Sequence, residues 1–197
     1  HLVVDEIYAL SVFGGRAFTS VARALPSLGE RVHIVWAFSK DFGASGLRCG
    51  VLVSESPAVN AAVEALAYWA SCSGHTQYLL GEIIADDAWI DGYVGAMRGL
   101  LGGAYHRMAD ELQAAGISFG SAEAGFFVLV DLRPHLAEPS WAAERELWLR
   151  MLDRAGVNLT PGAACGVGEP GFFRLCFAGS PAETVETAVR RVAAALA

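Results

Sequence analysis

The stretch "VHIVWAFSKDFGASGLRCG", residues 32–50, decides the fold class that we predict for this chain. Residues 32–38 are almost continuously apolar and rich in β-branched and aromatic types, which predicts a strand of a parallel sheet buried on both faces. Lys40 follows at the carboxyl end of that strand, where open α/β sheets place their ligand crevice. A desolvated lysine is a competent nucleophile towards an aldehyde, although an isolated lysine can also simply end a strand.

Other apolar runs carry polar residues in similar positions. The N-terminal run "HLVVDEIY" ends with Asp5 and Tyr8, Arg48 follows the lysine across a glycine-bearing loop, and Arg174 interrupts the run "GFFRLCFA". Pyridoxal phosphate needs an acid for its ring nitrogen, a donor for its phenolic oxygen, a lysine for its aldehyde and a cation for its phosphate. The second arginine would hold the carboxylate of a substrate. These residue types therefore indicate a pyridoxal-phosphate site.

The composition excludes several other functions. Of the 197 residues 54% are hydrophobic, which is enough for a sizeable core, and the formal net charge is −7. Without a basic patch or a run of cations, we expect neither a nucleic-acid partner nor an anionic membrane surface. No apolar run approaches the ~20 residues that a membrane span needs.

The four cysteines form no recognisable metal motif. They show no CxxC pair and no histidine spacing suited to zinc, so we expect no metal site. Reduced, mostly buried thiols in a cytoplasmic protein are the simplest expectation for these residues.

The first half of the chain has the element order of an α/β protein. After the first strand, residues 9–31 predict a loop with a short helical piece, and residues 49–54 predict a returning strand. Pro57 opens a helix that we expect to run to Ser71. Residues 71–77 predict a turn, in which His75 is an alternative catalytic base or merely a solvated residue.

The second half begins with a long helix predicted over residues 87–115, whose five glycines weaken it by up to about 1 kcal/mol each. The remainder alternates strand and helix patterns and predicts a small α+β domain. Its predicted strands cover residues 117–119, 125–132, 157–159 and the run around Arg174, and its predicted helices cover residues 140–155 and 181–197.

Five segments together resemble a known family. The segments "DEIYALSVF", "VHIVWAFSKDFGASGLRCG", "HTQYLL", "AGFFVLVDLRP" and "NLTPGAACGVGEPGFFRLCFA" are similar, in order and in spacing, to fold-type I pyridoxal-phosphate enzymes of the class I/II aminotransferase superfamily. They are most similar to the branch that contains 1-aminocyclopropane-1-carboxylate synthase. The resemblance implies that the chain is the C-terminal portion of such an enzyme, acting in the cytoplasm as a homodimer with shared active sites.

The resemblance also implies a division of the chain. Residues 1–90 would be the remainder of the mostly parallel-sheet large domain that binds the cofactor. Residues 91–115 would form the interdomain helix, and residues 116–197 the small α+β C-terminal domain.

Each candidate site residue then has an expected role. Asp5 would pair with the ring nitrogen, and Tyr8 would donate to the phenolic oxygen and take part in catalysis. Lys40 would form a Schiff base with the cofactor and, as a free amine, move the α-proton. Ser39 and Arg48 would bind the phosphate.

Alternatives remain for some of these residues. Asp5 could instead cap a turn, and Arg174 could pair with Glu169 rather than with a substrate carboxylate. The family commonly has a hydroxyl residue three positions before the lysine, where this sequence has Ala37, so one phosphate contact is missing.

The reaction itself stays open at this point. The resemblance implies elimination of a γ leaving group from a small α-amino acid, as in cyclopropane amino-acid formation from S-adenosylmethionine. The alternatives are an aminotransferase, a carbon–sulfur lyase and a non-catalytic fragment.

Overall fold

The computed structural model describes residues 1–196, and the chain divides into two compact units, the first being His1–Arg98 and the second beginning at Gly99. The division falls inside a single long helix, α5 (Asp87–Ala114), which the sequence predicted over residues 87–115. Its glycines do not interrupt it. The predicted domain limits 1–90, 91–115 and 116–197 stay predictions.

The first unit contains a three-stranded sheet in the order β1-β2-β3. Strands β1 (Leu2–Asp5) and β2 (Val32–Ala37) are parallel, whereas β3 (Gly50–Ser54) returns antiparallel to β2. In β2 only His33 and Ile34 are fully buried within this chain, so the expected burial of the whole strand on both faces is wrong here.

Serine caps begin three of the helices in the first unit. Helix α1 (Val21–Ala24) follows Ser20, whose hydroxyl accepts the N–H of Ala22. Helix α3 (Pro57–Ala70) follows Ser56, and α4 (Gly74–Ile84) follows Ser73. Each serine oxygen satisfies one of the backbone donors that a helix start leaves unpaired.

The predicted turn over residues 71–77 is largely wrong. Only residues 71–73 link α3 to α4, and His75 lies exposed in the first turn of α4. The physical reason is Ser73, whose hydroxyl accepts the N–H of Thr76 at 3.2 Å and starts the helix four residues earlier than its small residues suggest.

The second unit contains a four-stranded antiparallel sheet in the order β4-β5-β7-β6. The strands are β4 (Ser118–Phe119), β5 (Phe127–Asp131), β6 (Thr160–Pro161) and β7 (Phe172–Cys176), and the helices are α6 (Trp141–Arg150) and α7 (Ala182–Leu196).

Two predicted elements of this unit differ in detail. The strand predicted over 157–159 forms at residues 160–161 instead. Asn158 lies in the preceding loop, where its side chain accepts the indole N–H of Trp148 at 3.0 Å. The predicted helix over 140–155 begins after Ser140 as expected, but its last turn, Met151–Ala155, widens to a π-helix. The end of the predicted helix 181–197 lies outside the described residues.

A continuous apolar core fills the second unit. Phe173 and Phe177 are fully buried together with Met108, Leu132 and Met151. Burial of such side chains contributes roughly 1.5–3 kcal/mol each. This unit therefore has a hydrophobic core of its own.

None of the helices within residues 1–196 is long and apolar enough to cross a membrane. In the same residues, histidine, cysteine and acidic side chains form no group of three or more that could hold a metal ion.

Candidate active site

The candidate site lies at the carboxyl edge of the parallel pair β1 and β2. Asp5, the last residue of β1, is opposite Val35 in register, and the N–H of Glu6 donates to the Val35 carbonyl at 2.9 Å. Lys40 lies in the single turn α2 (Phe38–Asp41) that follows β2 directly. Because parallel strands end at the same edge, the structure places Asp5 and Lys40 at one side of the sheet.

Lys40 is half-buried, and it is the only lysine in the sequence. Within the described residues it forms no salt bridge, so its amine is not committed to a structural carboxylate. Ser39 beside it is half-buried as well. A partly desolvated amine without an acidic partner suits the attack on an aldehyde.

Asp41 holds the Lys40 turn in place. Its carboxylate is completely buried and accepts hydrogen bonds from the Ser11 hydroxyl at 2.7 Å, the Leu10 N–H at 3.1 Å and the Trp36 indole at 2.8 Å. Charge-assisted bonds of this kind contribute about 1.5–3 kcal/mol each. They fix the turn to β2 and to the segment that follows β1.

Tyr8 belongs to that same segment. It is half-buried, and its carbonyl accepts the N–H of Ser11 at 3.0 Å. Since Ser11 also donates to Asp41, the turn that carries Tyr8 is tied to the turn that carries Lys40.

Arg48 lies at the end of the loop that leaves Lys40. The loop is held against the start of α2 by two backbone bonds, from Phe38 N–H to the Cys49 carbonyl at 3.3 Å and from Ala44 N–H to the Phe38 carbonyl at 3.2 Å. Arg48 is exposed, and its Nη1 donates to the Ser45 carbonyl at 3.0 Å. Most of its guanidinium donors therefore remain available for an anion.

Arg48 also has an unusual backbone. Its φ is 50°, and among residues 1–196 no other residue that is not glycine has a positive φ. Such a conformation costs about 1–3 kcal/mol and tends to cluster at ligand sites. This strain supports a functional reading of the Lys40–Arg48 loop.

Stacked aromatic rings support the loop from the α5 side. Phe42, two residues after Lys40, stacks on Tyr93 with ring centroids 5.3 Å apart, and Tyr93 stacks on Trp89 at 5.1 Å. Burial, and secondarily the charge of Asp41, raises the pKa of the Tyr93 hydroxyl, so this group stays protonated. Asp41 and Tyr93 are site-supporting residues that sequence reasoning missed.

The two acids at the end of β1 have different surroundings. Asp5 is exposed, and its Oδ1 accepts the N–H of Ile7 at 3.0 Å, so the alternative that it caps a turn is observed. One carboxylate oxygen is enough for that bond, and the other can still face a ligand. Glu6 is buried and accepts from Ser20 and from Val21 N–H, which makes it structural, as expected.

Arg174 lies in the second unit, on β7. Its guanidinium carbon is 4.5 Å from the centre of the Phe127 ring, and the residue is exposed rather than buried in an apolar run as expected. The alternative pairing with Glu169 is wrong, because Glu169 pairs with Arg133 at 3.1 Å. No carboxylate within the described residues forms a salt bridge with Arg174.

A cavity in the second unit is a weaker candidate. Its volume is about 330 Å³, and it lies among core side chains such as Leu112, Val130, Leu175 and Val189. No lysine, arginine or acid lines it. It therefore lacks the groups that a phosphate or an aldehyde needs.

An amine, a carboxylate, a phenol and a guanidinium on the loops at one edge of an α/β sheet are the groups with which pyridoxal-phosphate enzymes of fold type I hold their cofactor. The residues present fit the cofactor: Lys40, which forms no salt bridge with the described residues, would bind its aldehyde, and the exposed Arg48 would bind its phosphate.

The chain belongs to the family "Aminotransferase class I and II", whose model matches residues 1–192. Members of this family and 1-aminocyclopropane-1-carboxylate synthases are enzymes that use pyridoxal phosphate. The expected family, fold class and cofactor are therefore confirmed.

Curated relatives support the same family. The chain is 36% identical to 1-aminocyclopropane-1-carboxylate synthase CMA101 of Cucurbita maxima and 35% identical to 1-aminocyclopropane-1-carboxylate synthase 11 of Arabidopsis thaliana. Each match covers 98% of this chain but only 42% and 43% of the respective relative. The chain thus spans about two fifths of the length of these relatives.

Solved structures support the fold. The Thermus thermophilus aspartate aminotransferase tetra mutant 2, complexed with tryptophan, has a TM-score of 0.84 at 26% identity, covering 99% of this chain and 48% of its own. The aromatic aminotransferase from Pyrococcus horikoshii has the same TM-score at 24% identity, covering 98% and 49%.

Proposed function

We propose that this chain forms part of a lyase that acts on a small α-amino acid and eliminates its γ leaving group, as in cyclopropane formation from S-adenosylmethionine. The curated relatives at 34–36% identity that support this choice are named as 1-aminocyclopropane-1-carboxylate synthases. The observation that carries the proposal is the placement of Lys40, the only lysine, at the edge where Asp5 also ends its strand.

Bound pyridoxal phosphate supplies an aldehyde and a ring that accepts the electrons released at the α-carbon. Asp5 would keep a proton on its ring nitrogen, and Tyr8 would donate to its phenolic oxygen. Ser39 and Arg48 would hold its phosphate.

Lys40 has two tasks in this proposal. Its amine would hold the cofactor through the aldehyde, and the same amine, when free, would move the proton of the substrate's α-carbon. Asp41 makes both tasks possible, because its three hydrogen bonds fix the turn from which the lysine projects.

Arg174 binds the substrate carboxylate. Its exposed guanidinium over Phe127 has donors to spare, since it forms no salt bridge with the described residues. A bidentate pair with a carboxylate would orient the α-carbon for proton removal.

A second candidate is an aminotransferase. The family match and the solved structure of the Thermus thermophilus aspartate aminotransferase at 26% identity support it. In that reaction Lys40 would again move the α-proton, while the cofactor would accept the amino group and water would release the keto acid.

We also propose a cytoplasmic homodimer with shared sites. The exposed apolar side chains of α3, among them Leu66, Tyr68 and Trp69 at 63%, 83% and 84% exposure, offer a surface for such an assembly. Sedimentation of the purified protein tests this, and a monomer at micromolar concentration contradicts it.

An absorbance titration of the purified protein with pyridoxal phosphate tests the enzyme proposal. We expect a visible band that borohydride removes, with the cofactor then recovered on the peptide that contains Lys40. Arg23→Ala, which removes an exposed cation of the same unit, serves as the control and keeps the band. If Lys40→Ala keeps the band, the proposal is wrong.

Incubation with S-adenosylmethionine separates the two reactions. Release of a thioether together with a cyclic amino acid supports the γ-elimination. If a keto acid forms from an amino acid and no thioether is released, the γ-elimination is wrong and the aminotransferase reaction is supported.

A further inference from the structure

Two cysteines meet beside the candidate site. The Sγ atoms of Cys49 and Cys72 are 3.6 Å apart, although the residues are 23 positions apart in the chain. Cys49 directly precedes β3, and Cys72 lies in the link between α3 and α4. Their contact therefore joins the end of the Lys40–Arg48 loop to the end of a helix.

Neither cysteine of this pair is fully buried. Cys49 and Cys72 are each only partly buried, which corrects the expectation of mostly buried thiols. The other two cysteines, Cys165 and Cys176, belong to the second unit.

The short distance makes a bond geometrically accessible. A disulfide requires an S–S distance of about 2.05 Å, so the two sulfurs must approach by roughly 1.5 Å. Rotation about the two Cα–Cβ bonds moves sulfur atoms over distances of this size.

We propose that Cys49 and Cys72 are a reversible oxidation site, at which a low-molecular-weight disulfide such as oxidised glutathione converts the two thiols into one disulfide. One protein thiolate attacks the external disulfide, forming a mixed disulfide and releasing one glutathione thiolate. The second protein thiol then attacks the mixed disulfide and releases the second glutathione. Two protein thiols are thereby oxidised and one glutathione disulfide is reduced to two thiols, so atoms and electrons balance.

The surroundings of Cys49 affect its protonation. Burial, followed by its interactions with Cys72, raises the pKa of the Cys49 thiol. Cys49 is therefore less often the attacking thiolate at neutral pH than an unperturbed cysteine.

The bond would stiffen the loop that carries Arg48. The Cys49 carbonyl accepts the N–H of Phe38, the first residue of the Lys40 turn, and Arg48 just before it has the strained backbone. A covalent tie from Cys49 to the α3–α4 link restrains this segment. We expect slower amide hydrogen exchange at Phe38 in the oxidised protein.

Peptide mapping of the full chain tests the proposal directly. The protein is incubated with oxidised glutathione at low protein concentration, alkylated and digested without reductant. We expect the reactive thiols to fall from the four of the sequence to two, with a cross-linked peptide pair that contains Cys49 and Cys72. Dithiothreitol should restore all four thiols.

Matched variants sharpen the result. Cys165→Ser should leave the cross-link unchanged, whereas Cys72→Ser should abolish it. In the Cys72 variant a mixed disulfide between glutathione and Cys49 should persist, because the first unit then has no second thiol that can displace the glutathione. Stable mixed disulfides on the wild-type protein, cross-links through Cys165 or Cys176, or dimers joined between chains would each overturn the proposal. The wild-type map decides the matter even if a variant fails to fold.

If the cross-link forms but amide exchange at Phe38 stays the same, the proposed stiffening of the Arg48 loop is wrong. None of these measurements depends on cofactor binding, so their failure is distinct from failure of the proposed function.

Discussion

In the first unit the buried polar side chains are Glu6, Ser11, His33, Asp41 and Ser56, whereas in the described part of the second unit Glu144 alone is of this kind. The apolar side chains show the opposite distribution, and the fully buried large ones are concentrated after Gly99. Hydrogen bonds thus organise the unit with the candidate chemistry, and apolar packing organises the other.

The exposed apolar side chains sharpen this difference. Most of them lie in the first unit, including Tyr68, Trp69 and Tyr78 at 72% exposure or more. A unit that leaves such surface uncovered gains less stability from burial, because stability follows the apolar area removed from water. We therefore expect the second unit to gain more stability from apolar burial than the first, which carries the candidate site.

Truncation of a core ring should have the largest effect. Phe173→Ala removes a ring that is completely buried in the second unit, and we expect a loss of about 3–5 kcal/mol in the free energy of unfolding. Denaturation in urea measures the loss. The matched variant Phe18→Ala removes a ring of the first unit that is 45% exposed and should cost no more than about 0.5 kcal/mol. If both variants lose the same free energy of unfolding, the two units do not differ in how much apolar packing stabilises them.

Arg174→Gln tests whether the second unit also takes part in binding. Loss of a charge-assisted pair worth about 1.5–3 kcal/mol should raise the KM for the amino-acid substrate about 10- to 100-fold. Steady-state kinetics measures the KM. The control is Arg145→Gln, which changes an exposed arginine of α6 and should leave the KM unchanged. An unchanged KM in the Arg174 variant would show that Arg174 does not bind the substrate.

Asp41→Asn tests the hydrogen-bonded organisation of the first unit. The amide keeps the shape of the carboxylate but turns one acceptor into a donor facing Leu10, Ser11 or Trp36. We expect a loss of about 1–3 kcal/mol in stability together with weaker cofactor binding. Asp91→Asn on the exposed face of α5 should change neither quantity. Tight cofactor binding by the Asp41 variant would show that the Lys40 turn is held by other contacts.

The smallest effect concerns pH and the second unit. The hydrogen bonds from Arg133 hold the pKa of Asp131 below its usual value, despite its partial burial. A folded-state pKa below the unfolded one stabilises the protein above the unfolded pKa, and this contribution disappears as the pH falls through the folded pKa. Since Arg133 is 45% exposed and screened by solvent, Asp131→Asn should cost at most about 1 kcal/mol at neutral pH.

Urea denaturation at a series of acidic pH values measures this last effect. The Asp131 variant should show a flatter decline in stability on the acid side than the wild type. Asp110→Asn, an exposed carboxylate on α5, should keep the wild-type slope, and a flattened slope there would contradict the assignment.

Local patterns were enough to predict much of the fold. The apolar run of β2 and the Pro57 helix start give a clear strand and a clear cap, and both formed as predicted. Helix α5 survives its glycines because Leu101, Met108 and Leu112 bury apolar surface along it, and packing outweighs propensity.

The candidate site was predictable only in part. Lys40 and Asp5 were predicted because each lies at the end of an apolar run, and the structure then pairs the two strands in parallel. Asp41 was missed, since an acid after a lysine resembles a solvated residue, and its bond to Ser11 joins positions 30 residues apart. The meeting of Cys49 and Cys72 is equally invisible to spacing rules, because it depends on where β3 and α3 end.

The presence of one lysine in the whole sequence has a practical consequence. A protease that cuts after lysine has a single target bond in this chain, between Lys40 and Asp41, in the half-buried turn of the candidate site. The rate of that one cut, followed with and without added pyridoxal phosphate, reports how well the turn is protected. Amine-reactive dyes likewise label one side chain, that of Lys40, so the extent of labelling measures how accessible the Lys40 amine is.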